Sequence, residues 1–280
     1  MDNVSFESYS KINLGLKVLN KRSDGFHNIS SIFIRTNFSD KLTFKKSKFF
    51  HISCNKNNVP VDSNNTISKA YQILNDKFNF KHHYKIHLNK NIPIGSGLGG
   101  GSGNAASTLL ALNSLLSLNI PSNDMHKIAL QIGSDVPFFL KGGIKHVQGR
   151  GEIINNFKNN TQFQKLFFLL VCPNFSISTK WAYENLKLKK ALKSNDNKYK
   201  FSPLSDRVNW KLFENDFELV VKEAYPEIMN IKHTMLNNGA IYSSLSGTGS
   251  TVFGIYNEEQ FVLKTQNKLT HYKTHRASPI

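Results

Sequence analysis

The stretch Ile92-Pro-Ile-Gly-Ser-Gly-Leu-Gly-Gly-Gly-Ser-Gly-Asn-Ala-Ala106 decides how this chain reads. Six glycines fall between Gly95 and Gly103, and Leu98 is the one large side chain among them. Glycine accepts positive φ and lets a ligand approach the backbone closely, at a conformational cost that an ordinary surface turn has no reason to bear. Upstream, Tyr84-Lys-Ile-His-Leu88 alternates apolar and polar residues, which predicts a half-buried strand. Downstream, Ala105, Ala106, Leu109, Leu110, Leu112, Leu115 and Leu116 recur at helical spacing and are stopped by Pro121. Strand, glycine loop and helix together aim free backbone N–H groups and a helix N-terminus at an anion, most often a phosphate.

Two familiar phosphate loops fail on the residues. A Walker A loop ends in Gly-Lys-Ser/Thr, and no lysine occurs between Lys90 and Lys127. Gly95, Gly97 and Gly100 satisfy G-x-G-x-x-G, but the ribose-binding acid expected about 20 residues later is missing. Asp124 falls late and opens another helix. A nucleotide phosphate loop of another kind is the favoured reading, with a ligand-free glycine turn as its alternative.

Length and composition set the bounds. At 280 residues, with 39% hydrophobic and 11% aromatic content, the chain can bury one large core or two modest ones. No run approaches the roughly 18 apolar residues of a membrane span, and MDNVSFESYSKINLG has no basic region followed by an apolar stretch, so no secretory signal is expected. Cys54 and Cys172 lack metal or redox spacing and suit a reduced cytosol. The net charge of +17 invites a nucleic-acid reading. However, the lysines are dispersed among abundant asparagines, with no helix-turn-helix, zinc-finger or aromatic RNA-binding signature. A generally basic surface that attracts phosphorylated small molecules is the plainer interpretation. Ten histidines include His82, His83 and His87 but no HExxH spacing, so no metal site is expected.

Taken in order, Ser8–Leu16 predicts a strand with Ile12, Leu14 and Leu16 on one face and Lys11 and Asn13 on the other. A lone strand lysine is ordinarily a solvated edge residue. Asp24-Gly25 makes a turn, followed by Phe26, His27 and an apolar run from Ile29 to Phe38. Further strands are expected over Lys41–Cys54, and an amphipathic helix over Thr66–Phe78. Ser122 is expected to cap a helix through Ile132 that ends at Gly133. Asp135 then stands between that helix end and an apolar run beside Pro137, either as a placed functional acid or as a turn or cap residue. Gly142, Gly143, Gly149 and Gly151 break the chain into short strands, with a charged turn at Arg150-Gly-Glu152. Polar residues Asn155 to Thr161 suggest a boundary between domains at 1–157 and 158–280. Phe167–Cys172 reads as a buried strand, Lys187–Lys200 as a surface loop or insert, and Phe213–Val221 and Ile228–Leu236 as helices. A second small-residue loop, within Ala240–Gly254, is expected to turn between strands and to pack where close approach is needed.

Ser10-Lys-Ile-Asn-Leu-Gly-Leu16 with Arg22-Ser-Asp-Gly-Phe-His27, Pro93–Ser102, Gly133–Phe139 and Leu245–Phe253 follow one another as the motifs of the GHMP kinases do. Within that family the chain resembles the kinases of 4-diphosphocytidyl-2-C-methyl-D-erythritol, which act in the non-mevalonate isoprenoid pathway. The resemblance implies an α+β, two-domain fold: an N-terminal domain like ribosomal protein S5 domain 2, and a ferredoxin-like C-terminal domain. It implies ATP with Mg²⁺, the phosphates lying on Pro93, Gly95, Gly97, Leu98, Gly99, Gly100, Gly101, Ser102 and Gly103. Asp135 would be the general base, paired with Lys11. Phe26, in place of the family's usual Tyr, would stack the cytosine together with Tyr183, near His27; Asn13 and Thr179 are further substrate contacts. Tyr183 also fits an ordinary core aromatic. The resemblance further implies a cytoplasmic enzyme, a monomer or weak homodimer, with no nucleic-acid or membrane partner. One departure stands out: where the family commonly reads Ser-Asp, this chain has Gly103-Asn104, expected to remove a hydroxyl and an acid from a phosphate-facing helix start.

Overall fold

The computed structural model describes residues 3–157, 163–191 and 208–280. Its chain forms two compact units, Met1–Ser10 with Ser39–Ile94 and Gly99–Gly142, and Lys11–Phe38 with Gly95–Leu98 and Gly143–Ile280. Two long strands contribute to both, β1 (Val4–Lys21) and β2 (His27–Ser47), which pair with each other. Both outrun the sequence expectation, which ends a strand at Leu16 and breaks the second at Phe38. Asp40 explains why β2 continues. It is fully buried, yet its carboxylate accepts the backbone N–H groups of Asn91 and Ile92 (both 2.8 Å), the Asn104 amide (2.9 Å) and the Lys90 ammonium. A buried acid with its acceptors satisfied need not end a strand.

In the first unit, Lys41–Ser47 of β2 pairs antiparallel with β4 (His83–Asn89), and β4 pairs in parallel with β3 (His51–Cys54). Tyr84, Ile86 and Leu88 of β4 are buried while Lys85 and His87 are exposed, the alternation that the sequence predicts. Helices α1 (Thr66–Phe78), α2 (Gly100–Leu115), α3 (Ser122–Ile132) and α4 (Val136–Lys141) pack on one another. Asn65 caps α1 by accepting the Ile67 N–H at 2.9 Å. Ser122 does not cap α3; it is the first helical residue, after Pro121. Proline tolerates that boundary because it fixes φ near the helical value.

In the second unit, Ile29–Ile34 of β2 pairs with β5 (Ile144–Gly149), and β5 with β6 (Ile153–Asn156). Asn155 and Asn156 therefore belong to a strand, and residues 158–161 of the expected boundary lie outside the described residues. A second, wholly antiparallel sheet has the order β10-β7-β9-β8, with β7 (Phe167–Cys172), β8 (Tyr242–Leu245), β9 (Val252–Tyr256) and β10 (Lys273–Ala277). Around it run α5 (Thr179–Ala191), α6 (Glu218–Ala224), α7 (Pro226–Asn237) and α8 (Glu259–Gln266). Leu169, Val171, Ile231, Met235, Val252 and Tyr256 share its core. Two expectations change. Residues 187–191 continue α5 instead of forming a loop, while 192–200 fall outside the described residues. Phe213–Phe217 is not helical, because Asn215 and Asp216 turn their side chains to backbone groups elsewhere in the unit, the local competition that keeps Asx residues out of helix interiors.

Candidate active site

The glycine stretch is held differently along its length. Gly95, Gly97 and Gly99 have φ of +66°, +78° and +70°, a region that side chains rarely enter. Gly97 has a second reason to be glycine: a Cβ there would sit 2.0 Å from the Ser246 carbonyl oxygen. Its own carbonyl accepts Lys11 Nζ and Ser246 Oγ, each at 2.9 Å. Ser96 accepts the Thr251 N–H at 3.1 Å, and Leu98 accepts the Lys11 N–H at 2.9 Å. The small-residue loop after β8 thus packs against the glycine loop, the close approach expected of it. Leu98 itself is fully buried, so its side chain anchors the loop and only its backbone is left for a ligand.

Helix α2 begins at Gly100, five residues before the first apolar residue of its sequence pattern. The late glycines allow this by close packing: a Cβ on Gly100 would lie 2.7 Å from Lys90 Nζ, and one on Gly103 2.7 Å from the Tyr9 carbonyl. Gly99 is the N-cap and gives no side-chain cap. The first-turn N–H groups of this 16-residue helix are therefore not capped by their own N-cap residue, as an anion-binding helix start requires.

Asn104 corrects one expectation. It is 2% exposed and donates to Ser8 Oγ (2.8 Å) and Asp40 Oδ2 (2.9 Å), so it serves the interior of the first unit, not a phosphate.

Lys11 is no solvated edge residue. It is 3% exposed, donates to Gly97 and to the amide oxygen of Asn13, and lies over the Phe33 ring at 5.0 Å. Asn13, 1% exposed, in turn donates to Ser31 Oγ at 3.2 Å, and Ser31 to the Gly15 carbonyl at 2.6 Å. Asp135 is half-buried at the N-cap of α4, with φ −86° and ψ −12°, and its side chain makes no capping bond. That removes the capping explanation for an acid at this position. Lys11 belongs to the second unit and Asp135 to the first.

Of the aromatic residues singled out in the sequence, His27 and Tyr183 come together in the second unit. His27 stacks on Tyr183 with centroids 5.1 Å apart and planes 24° from parallel, and Tyr183 meets the buried Phe217 edge-on at 4.9 Å. Tyr183 is thus both a partner of His27 and a flank of the core. Phe26 is 49% exposed, with the Arg150 guanidinium 5.1 Å from its ring centroid. The turn that presents these rings is fixed by charge. Arg22 pairs with Asp24 and with Glu152 (both 3.0 Å), and Asp24 accepts the Phe26 N–H at 3.1 Å. Desolvation would raise the Asp24 carboxyl, but the Phe26 N–H and Arg22 outweigh it and hold the group below its ordinary range. Thr179 opens α5, exposed, with its hydroxyl 3.3 Å from that of Thr248.

Sequence reasoning missed Ser246 and Asn215 as individual residues; the signal for Ser246 was the small-residue run around it. It also missed a cavity of about 530 Å³ in the first unit, lined by Phe50, Val61, Ser68, Gln72 and Gln131 among others and containing none of the expected site residues. Among the described residues, no group of three or more His, Cys, Asp or Glu side chains is placed to hold a metal ion.

Comparison with known proteins bears on this arrangement. Residues 65–143 match the family model described as "GHMP kinases N terminal domain", and residues 188–272 match "GHMP kinases C terminal". The 4-diphosphocytidyl-2-C-methyl-D-erythritol kinase of Chlorobium phaeobacteroides (strain BS1) is 38% identical over 92% of this chain and 91% of its own length. The enzyme of the same name from Thermodesulfovibrio yellowstonii is 41% identical over 90% of each chain. Among solved structures, a 4-(cytidine 5'-diphospho)-2C-methyl-D-erythritol kinase superposes with a TM-score of 0.81 at 24% identity over 98% of both chains. The homoserine kinase of Cytophaga hutchinsonii superposes at 0.71 with 17% identity, over 100% of this chain and 95% of its own. The expected α+β, two-domain fold is therefore the one observed, and the chain belongs to the GHMP kinases.

Proposed function

We propose that this protein transfers the γ-phosphoryl group of ATP to the 2-hydroxyl of 4-diphosphocytidyl-2-C-methyl-D-erythritol, a step of the non-mevalonate route to isoprenoid precursors. The observation that carries the proposal is the likeness, over nine-tenths or more of the chain, to relatives bearing that kinase's name. The local geometry agrees with what such a transfer needs, which is chiefly positioning and charge stabilisation.

The residues present suit a triphosphate. Three glycines at positive φ lead into a helix start without a side-chain cap, and a Cβ on Gly101 would meet nothing nearer than Thr66 Oγ1 at 3.8 Å. Backbone N–H groups from Gly95 to Gly103, with Pro93 fixing the approach and Ser102 adding a hydroxyl, would hold the phosphates. Mg²⁺ usually leans on phosphate oxygens and water with one or two carboxylates, so no dedicated acidic cluster is required. Bound Mg-ATP supplies the transferable phosphoryl group and neutralises its charge.

The chain's own residues do the rest. Asp135 accepts the proton of the acceptor hydroxyl, and Lys11 keeps that carboxylate ionised and adds positive charge near the transferring group. Phe26 and Tyr183 grip the cytosine by stacking, and His27 hydrogen-bonds it. Asn13, whose amide oxygen also takes the Lys11 ammonium, and Thr179 are further contacts to the substrate. We assign residues 1–157 to the nucleotide-binding domain and 158–280 to the second domain, in a cytoplasmic monomer or weak dimer that needs no nucleic acid. No described helix is long and apolar enough to cross a membrane.

An ADP-release assay with Mg-ATP tests the assignment, offering the cytidyl acceptor, homoserine and mevalonate in parallel to wild type and Asp135→Ala. Turnover of the cytidyl acceptor alone, lost in the variant, is expected. Preference for homoserine or mevalonate would overturn the substrate, and full activity of Asp135→Ala would overturn the base.

A further inference from the structure

The segment Glu214–Glu218, non-helical up to Phe217 and ending on the first residue of α6, ties together the two parts of the second unit that converge on the Gly97 carbonyl. On one side it holds β1: Leu16 donates to the Glu214 carbonyl (2.9 Å), Asp216 donates back to the Leu16 carbonyl (2.8 Å), and Val18 donates to Asp216 Oδ2 (2.9 Å). Lys17, between them, bridges Glu214 (2.7 Å) and Asp216 (3.1 Å). That strand carries Lys11. On the other side the segment holds the end of β8, where the loop begins. Glu218 Oε1 accepts the Leu245 N–H (3.0 Å) and the Ser244 hydroxyl (2.8 Å).

Asn215 sits at the centre, 3% exposed. Its amide nitrogen donates to the carbonyls of Leu245 and Gly247, each at 2.8 Å, while its oxygen accepts the Phe217 N–H at 3.0 Å. Both protons of one amide are thus spent on the carbonyls flanking Ser246. Ser246 is the residue whose hydroxyl reaches Gly97 and whose carbonyl leaves no room for a side chain there. Gly247 continues the fit: its φ is +61°, and a Cβ on it would lie 3.4 Å from Asn13 Oδ1 and 3.5 Å from the Gly97 carbonyl.

We infer that Asn215 is a positioning residue for nucleotide binding, fixing the Ser246 turn so that it and Lys11 set the orientation of the Gly97 peptide in the phosphate loop. The inference rests on the reading of Gly95–Gly103 as the ATP phosphate loop. Asn215 acts through the Leu245 and Gly247 carbonyls, the first buried and the second partly so, and loss of its amide leaves both without that donor, which makes the orientation sensitive to this one side chain.

Asn215→Asp removes both donors while keeping size and the acceptor for the Phe217 N–H. Calorimetric titration with Mg-ATP is expected to show affinity weakened about tenfold or more, the scale of two lost hydrogen bonds. The KM for the cytidyl acceptor should change by less than about twofold, because Phe26, His27 and Tyr183 do not depend on those donors. Ile231→Ala, a core change in the same unit, serves as the comparison for general destabilisation. It is expected to lower Tm without separating ATP affinity from acceptor KM. Should Asn215→Asp fail to fold, Ser246→Ala removes only the hydroxyl from Gly97 and should weaken ATP in the same selective way. Loss of Tm with unchanged ATP affinity in Asn215→Asp, or in Ser246→Ala where that replaces it, would overturn the inference. Wild type that binds ATP but ignores the cytidyl acceptor would sink the proposed substrate, leaving ATP affinity to decide on Asn215. Wild type that binds no ATP would sink both.

Discussion

Lys11 and Lys90 are buried to nearly the same degree, 3% and 7% exposed, and they are held in different ways. Lys90 meets the fully buried carboxylate of Asp40, which also takes two backbone N–H groups and the Asn104 amide. This is a closed arrangement inside the first unit, and its natural reading is structural. Among its contacts Lys11 donates to the Asn13 amide oxygen and to the carbonyl of Gly97, so it is held against the glycine loop itself. An ammonium fixed on a phosphate-type loop is placed where an arriving phosphate gains from its charge. Burial alone does not mark a functional lysine; the element it is fixed against does.

The sharpest test of that contrast replaces each lysine by methionine. Lys11→Met is expected to reduce kcat by about a thousandfold, within the range for lost acid–base and electrostatic groups, with a minor change in Tm. Lys90→Met should do the reverse. Leaving Asp40 buried without its cation costs about 3 kcal/mol or more, read as a lower midpoint in urea, while the folded fraction keeps turning over. Equal losses of rate and stability in both variants would dissolve the distinction.

Asn104→Asp probes the first cluster at a smaller scale. A carboxylate there would face Asp40 where an amide now donates at 2.9 Å, so about 2 kcal/mol of stability should be lost. No gain in kcat is expected, since the side chain is turned inward. A gain of several orders of magnitude would show that position 104 does serve the phosphates.

Tyr183→Ala probes the aromatic pair of the second unit. Losing one stacking ring should raise the acceptor KM about tenfold while leaving the KM for ATP alone, the size of a single base–aromatic contact. Tyr183→Phe, which keeps the ring, should stay near wild type. If both variants lose only stability, Tyr183 is a core aromatic and nothing more, as its edge contact with Phe217 allows.

Much of this was legible in the sequence where local rules govern. The alternation of Tyr84–Leu88, the glycine loop and the helix after it need only side-chain period and glycine's freedom to be read. Lys11 and Asn13 were visible as polar residues in a strand. That both faces of that strand are buried depends on elements far away in the chain, which no local pattern reports. The same limit hid the continuation of β2 through Asp40, whose partners come from residues 90–92 and 104. Phe213–Phe217 has helical spacing, but Asn215 and Asp216 find backbone partners near residues 18 and 245, and distant hydrogen bonds override the period. Even the glycines divide this way: Gly95 and Gly99 answer to φ, whereas Gly100 and Gly103 are small because of neighbours that sequence does not place beside them.

The smallest effect distinguishes the units by acid. His146 of β5 and His275 of β10 both lie in the second unit, and burial pushes each below the ordinary imidazole value, with nearby Lys273 adding to the shift of His275. A histidine depressed in the folded state binds fewer protons there than in the unfolded chain. Its contribution is present above the unfolded value near 6.5 and is lost as pH falls through the lower folded value. Stability of the second unit should therefore decline as pH drops from about 7 toward 5. His146 Nε2 lies 2.9 Å from Ser30 Oγ, beside the Ser31 that steadies Asn13 and thereby Lys11. His146→Gln can keep that hydrogen bond without titrating. It should flatten the Tm-against-pH slope by on the order of 1–2 °C, a modest figure because the ring is only partly shielded from water. Ile231→Ala, a core change in the same unit that removes no titrating group, should leave that slope as it is. A slope that persists unchanged in His146→Gln would place the acid-sensitive element away from His146.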